Sequence, residues 1–291
     1  AAGLAAVETE WSLVLSGDMP FYDFDLVRAL LPEARGETQV VLPTLAGYWQ
    51  PLAALYRRDA GQAFAAAIAR GDRKLGIILR DLTVHELPLA VDAGLFFNVN
   101  TPAAYRLACG RIANEGRERP ILSIAAPASG TGKTTFIERL IPHLATHGVR
   151  TAVIKSDSHG FQLDTEGKDT ARFTAAGARA VAVSAPHGYF IQKKEEQRQD
   201  FQNLISKLDC DIDLFITESR SRDVLPTLML DRGLAAPEID ARVTALFQKD
   251  GTPHDGLLSY DLDDVETAAR ITLFLMGRPL YGADGLMFLT M

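Results

Sequence analysis

Cysteine is nearly absent from this chain: the 291 residues include two, Cys109 and Cys210, far apart and in separate segments. That spacing excludes a close-set metal pair and a disulfide framework, and it suits a reducing cytosol. Long hydrophobic runs are missing as well. No stretch approaches the ~20 apolar residues of a spanning helix, and no basic region followed by an apolar core opens the chain. A soluble, cytoplasmic protein without a membrane partner is expected. Positive charge is in short supply, with 30 Lys and Arg against 37 Asp and Glu, a net charge of −7 and a pI near 5.4. This disfavours a broad electrostatic surface for nucleic acid but leaves room for a local basic pocket around a small anion. Neither an internal repeat nor a low-complexity tract occurs.

What is present is an ordinary globular composition, 47% hydrophobic and 23% charged, with apolar material for two cores. At roughly 100–200 residues per domain the length predicts two domains. Between Leu107 and Pro120, "LACGRIANEGRERP" breaks the apolar periodicity with Gly, Asn, Arg and Glu, as joints between domains do. The expected division is a first domain over 1–112, a linker over 113–119, a second domain over 120–275 and an unassigned tail over 276–291. Ahead of the joint, 11–16, 38–43 and 82–87 read as strands, with helical patterns at 23–31 and 59–70. After it, 121–126, 150–156, 178–185 and 213–219 read as strands, with helical patterns near 133–147, 168–176 and 193–208. Both halves are therefore α/β, the second with a mainly parallel sheet.

One segment carries chemistry. "ILSIAAPASGTGKTTFIERL", residues 121–140, sets an apolar strand before a Gly-rich turn and an amphipathic helix. The phosphate-loop template is Gly, four residues, then Gly-Lys-Ser/Thr, because successive backbone N–H groups must curl around a phosphate without Cβ obstruction. Gly132, Lys133 and Thr134 match its end; Pro127 stands at its first position, and Gly130 supplies flexibility within the turn. In this geometry Ser129, Gly130, Thr131, Gly132, Lys133, Thr134 and Thr135 surround the phosphates. Lys133 reaches β- and γ-phosphate oxygens, Thr134 ligates Mg²⁺, and the helix N-terminus faces the anion. In "DLFITES", Asp213 opens an apolar strand and Glu218 closes it, which puts a carboxylate at the strand end where open α/β sheets bind ligands. Glu218 is the expected metal-side or water-side acid, and with Lys133 the candidate catalytic pair. "SKLD" (206–209) imitates a guanine-reading motif but falls in a helical pattern. His143 and His147 have zinc-helix spacing without the Glu that the protease motif requires.

The second half resembles the molybdopterin-guanine dinucleotide biosynthesis protein B family, a family of phosphate-loop GTP-binding proteins. Beyond the loop, the resemblance is carried by "VIK" with Lys155, by His159, Asp164, "GKD" at 167–169 and "AGA" at 176–178, and by the Glu of "ITES". It implies a phosphate-loop NTPase domain binding GTP and Mg²⁺, with Lys155 and Asp164 near the nucleotide. The family's His-rich run after "VIK" and its Glu-Gly pair are replaced here by "SDSHG" and Glu218-Ser219. The first half is similar to the molybdenum cofactor guanylyltransferase family through "SGDMPF" (16–21), "WQPLAALYRR" (49–58) and "FFNVNTPAAY" (96–105). That resemblance implies a partial Rossmann-like nucleotidyltransferase domain. Asp18, at the end of an apolar strand, would hold Mg²⁺, and Asn98 and Asn100 would offer amide groups. Such guanylyltransferases open with a Gly-rich loop, Leu-Ala-Gly-Gly followed by Arg and Lys. Nothing comparable stands in the sequence from Ala1, so this half is expected to be truncated and, alone, not to transfer GMP.

The function implied is GTP binding, with slow hydrolysis, in the formation of molybdopterin guanine dinucleotide. The implied partners are GTP, molybdopterin or molybdenum cofactor, a guanylyltransferase domain in cis or in trans, and a second copy of the chain. Two alternatives stay open: GMP transfer from GTP to molybdopterin by the first half, and a phosphate-loop small-molecule kinase using Arg172, Arg179 or Arg198.

Overall fold

Alternation of β-branched and helical segments produces two main sheets and a two-stranded hairpin in the computed structural model, which describes residues 2–155, 169–193, 195, 199, 201–208, 211–218 and 226–281. The first half comprises α1 (Ala2–Ala6), β1 (Trp11–Leu15), α2 (Val27–Leu30), β2 (Val40–Leu45), β3 (Tyr48–Trp49), β4 (Ala53–Arg57), α3 (Ala60–Ala69), α4 (Leu75–Ile78), β5 (Val84–Leu89) and α5 (Pro102–Glu115). β4 lies between β1 and β2, antiparallel to both, and β5 runs parallel to β2 on its other edge. Ala46 and Gly47, with φ of 50° and 83°, make the tight turn from β2 into β3, because consecutive left-handed residues match the twist of a two-residue hairpin. The strands expected at 11–16, 38–43 and 82–87 are present within two residues, and the helix expected at 59–70 is α3. The helix expected at 23–31 is reduced to a 3₁₀ turn and the single turn α2, followed by another 3₁₀ turn, Leu31–Glu33, that contains Pro32.

The second half comprises β6 (Ile121–Ala125), α6 (Lys133–Thr146), β7 (Thr151–Lys155), α7 (Asp169–Ala175), β8 (Ala180–Ala185), β9 (Gly188–Lys193), α8 (Phe201–Ile205), β10 (Leu214–Glu218), β11 (Thr227–Asp231), β12 (Val243–Gln248), β13 (Leu258–Asp261) and α9 (Val265–Leu275). Six strands form a sheet in the order β13-β12-β11-β6-β10-β7, with every neighbouring pair parallel. β6 is buried along its whole length, and β10, β11 and β12 all but their last residue, as a sheet covered on both faces requires. β8, expected as a candidate for that sheet, pairs instead with β9 as an antiparallel hairpin. Its small residues Ala180, Ala182 and Ala185 offer little area to bury, and all three are exposed. Within the helical pattern expected near 193–208, the described helix is α8.

The stretch expected as a linker begins inside α5. Thr101 caps that helix by accepting from the Ala104 N–H at 3.1 Å, Pro102 takes its first turn, and the helix continues to Glu115. Two of the polar residues that interrupt the apolar pattern, Arg111 and Asn114, are buried. Asn114 donates through Nδ2 to the Leu275 carbonyl at 3.0 Å and the Ile121 carbonyl at 3.3 Å, and its Oδ1 accepts from the Ile121 N–H at 3.0 Å. Arg111 lies with its guanidinium 4.2 Å from the Phe21 ring centre and 5.1 Å from that of Phe274. A Cβ on Gly110 would come within 2.7 Å of Leu275, so glycine is what lets α5 approach α9. One apolar cluster consequently runs through both halves, joining Met19, Phe97 and Leu107 to Leu122, Phe136, Leu140, Phe247 and Phe274. The tail begins by serving the same contact: the Ala93 N–H donates to the Leu280 carbonyl, and the Leu280 N–H to Asp92 Oδ1, both at 2.8 Å. Among the described residues no helix is long and apolar enough to cross a membrane.

Candidate functional site

The turn after β6 owes its shape to two glycines. Gly130 and Gly132 have φ of 77° and 93°, a backbone region that side chains disfavour. Pro127 is not among the left-handed residues, so the position where the template has its first Gly makes no such demand here. Thr131 is buried, and its hydroxyl donates to the Ala128 carbonyl at 2.8 Å, which closes the turn. Ser129 and Gly130 stay exposed, Lys133 is half-buried, and Thr134 and Thr135 are exposed on the first turn of α6. α6 has 14 residues and no side-chain cap at its start, so its leading N–H groups and the positive end of its dipole face the loop uncapped. The Lys133 side chain takes part in no hydrogen bond or ion pair among the described residues.

Parallel register gathers further side chains on the same rim. Glu218 sits opposite Ile124 on one side and Lys155 on the other. The Thr134 hydroxyl lies 3.2 and 3.1 Å from the two Glu218 carboxylate oxygens, and Lys155 Nζ is 3.9 Å from Glu218 Oε2. A hydroxyl and a carboxylate in contact beside a phosphate-type loop form the hard-oxygen set that suits Mg²⁺, an ion that takes one or two carboxylates along with phosphates and waters. Arg232, just past β11, was not identified in the sequence. A Cβ on Gly132 would meet its Nη2 at 3.0 Å. The available signal was its place at the end of the apolar run "TLMLDR", the same kind of position that singled out Glu218. Asp164, His159, Gly167, Lys168 and Arg198 lie outside the described residues. Arg172 is on α7, and Arg179 immediately precedes β8.

A second grouping forms in the first half. Asp18 follows β1, and its carbonyl accepts from the Val99 N–H at 2.8 Å. That bond sets the 98–100 segment beside Asp18. Asn98 donates through Nδ2 to the Phe96 carbonyl at 3.0 Å, and Asn100 is exposed. Asp18 Oδ1 is buried with no hydrogen-bond partner. An orphaned carboxylate oxygen is costly unless something pairs with it, and a cation fits that need.

Comparison with known proteins finds two families along the chain. Residues 121–245 match the family model of molybdopterin guanine dinucleotide synthesis protein B, and residues 1–87 that of the MobA-like NTP transferase domain. The molybdopterin-guanine dinucleotide biosynthesis adapter protein of Escherichia coli (strain K12) is 34% identical over 158 residues, which are 52% of this chain and 89% of that protein. A probable molybdenum cofactor guanylyltransferase of Natranaerobius thermophilus is 29% identical over 107 residues, 34% of this chain and 52% of that protein. The chain thus spans about half the length of this guanylyltransferase relative. Among solved structures, the crystal structure of Bacillus subtilis MobB is 26% identical, with 54% of this chain and 97% of that one covered and a TM-score of 0.42.

Proposed function

Because the chain belongs to the molybdopterin guanine dinucleotide synthesis protein B family, with a MobA-like NTP transferase domain ahead of it, we propose that it binds GTP at residues 129–135 in the formation of molybdopterin guanine dinucleotide. The observation that carries this reading is the contact between Thr134 and Glu218 at the mouth of a loop whose glycines are both left-handed. Backbone N–H groups of the loop and of the first turn of α6 would donate to phosphate oxygens, and Lys133 would neutralise the β and γ groups. Thr134 and Glu218 would hold Mg²⁺, which when bound supplies charge neutralisation for the phosphates. Glu218 would also orient a water for slow hydrolysis, since positioning and charge are what this chemistry asks of the protein.

Titration of a fluorescent GTP analogue with Mg²⁺ tests the site, with ATP as competitor to test the guanine preference. Lys133→Ala removes a charge-assisted contact of roughly 1.5–3 kcal/mol, so GTP binding should weaken by about tenfold or more. Equal binding by wild type and variant would refute the assignment.

A second reading is favoured by the orphaned Asp18 oxygen beside the 98–100 segment: the first half takes part in moving GMP from GTP to molybdopterin, with the second half as its adapter in cis. Product formation from GTP and molybdopterin, measured with Asp18→Ala alongside, decides this. Activity that survives the substitution would remove Asp18 from the reaction.

A further inference from the structure

β11 is the neighbour of β6 on the side away from β10, and Met229 pairs with Ala125 near the end of the shared register. The chain leaving β11 therefore emerges on the rim from which the phosphate-type loop springs. Arg232 occupies that exit. A Cβ on Gly132 would lie 3.0 Å from its Nη2, 3.3 Å from its Cζ and 3.4 Å from its Nε, so the guanidinium lies across the bare Cα of that glycine. Gly132 thus serves twice: its φ of 93° suits a residue without Cβ, and its lack of a side chain makes room for Arg232. An exposed arginine ordinarily reaches for a carboxylate, yet among the described residues nothing forms an ion pair or hydrogen bond with this one. Its sequence neighbour Asp231 is turned elsewhere, accepting from the Gly233 N–H at 2.7 Å.

We propose that Arg232 binds the terminal phosphate of a nucleoside triphosphate held by the loop, and so makes the site prefer a triphosphate to a diphosphate. The proposal rests on the reading that the loop binds GTP. A triphosphate brings one more anionic group than a diphosphate, and the rim offers one more uncommitted cation than the phosphate-loop template requires. Arg232 comes from a different strand than Lys133, so the two cations approach the phosphates from separate elements. Its planar fork suits bidentate contact with phosphate oxygens.

The test uses the full chain with Mg²⁺ and fluorescent analogues of GTP and GDP, comparing wild type, Arg232→Ala, Arg232→Lys and Lys133→Ala. Arg232→Ala should raise the Kd for GTP by about tenfold while leaving that for GDP within about twofold. Arg232→Lys should recover part of the loss, and Lys133→Ala should weaken both nucleotides. The GTP-to-GDP ratio is measured on the same folded molecules, so partial unfolding of a variant cancels from it. Equal weakening of both nucleotides, or of neither, by Arg232→Ala overturns the role of Arg232 and leaves the loop assignment standing. Failure of the wild type to bind GTP at all overturns both.

Discussion

Thr134 and Glu218 come from different elements and meet through one hydroxyl proton, which assigns each a separable effect. Thr134→Val keeps the volume and removes the oxygen. Binding of GTP should then lose its dependence on Mg²⁺ while the Mg²⁺-free affinity stays within about twofold, since the loop N–H groups and Lys133 are unchanged. A titration at graded Mg²⁺ measures this, and an undiminished Mg²⁺ response would take Thr134 out of the metal site. The loop and its lysine are legible in sequence because their chemistry is packed into consecutive residues. Arg232 is not, since its contact with Gly132 depends on strand order, which no local pattern encodes. Asn114 and Arg111 misled in the opposite direction: polar residues that look like a joint are clamps, one hydrogen-bonded to the Leu275 and Ile121 carbonyls and the other stacked on aromatic rings.

Among the elements, β6, β7 and β10 announce themselves by short, mostly apolar runs. β11, β12, β13 and α9 complete the sheet and its cover. Strand order is the part that sequence withholds: β10 inserts between β6 and β7. At the start of this insertion the Arg150 side chain, and then its backbone N–H, hold the Asp213 carboxyl down at about 2. The bonds are 2.9 Å from both Nε and the backbone N–H, and Arg278, beyond α9, adds another at 3.1 Å. Asp213 thus ties the beginnings of β7 and β10 to the chain that follows α9. With an ordinary carboxylate value near 3.9 when unfolded, this staple contributes fully above about pH 4 and is lost as pH falls towards about 2. Urea midpoints of wild type and Asp213→Asn should therefore differ at neutral pH and converge across that acid window. A constant difference down to about pH 2 would show that ionisation of Asp213 is not what stabilises the junction.

On the scale of the whole molecule, the resemblance to two families implies two bodies, whereas the packing gives them a common core. Phe97 and Phe274 have ring centres 4.8 Å apart, and Phe21 meets Phe274 edge-on at 5.8 Å. Phe136, Ile137 and Leu140 of α6, the helix that opens at Lys133, belong to the same cluster. Nucleotide binding at the start of α6 should therefore be felt by the first half through shared stability. The reporter is native: Trp11 and Trp49 are the chain's tryptophans, and Trp11 packs beside Leu30, Val41 and Leu55 of the first half. A ligand at about 100 times its Kd stabilises the folded state by about 2.7 kcal/mol. If the halves unfold together, saturating GTP with Mg²⁺ should raise the melting temperature read from tryptophan emission by several degrees, and Lys133→Ala should abolish the rise. Phe274→Ala, which leaves the loop and its metal-side pair untouched, cuts the contact between halves at a cost of about 3–5 kcal/mol. It should lower the tryptophan melt and uncouple it from the nucleotide. A tryptophan transition that ignores GTP in the wild type, under conditions where binding is saturated, would mean that the halves unfold independently despite their common core.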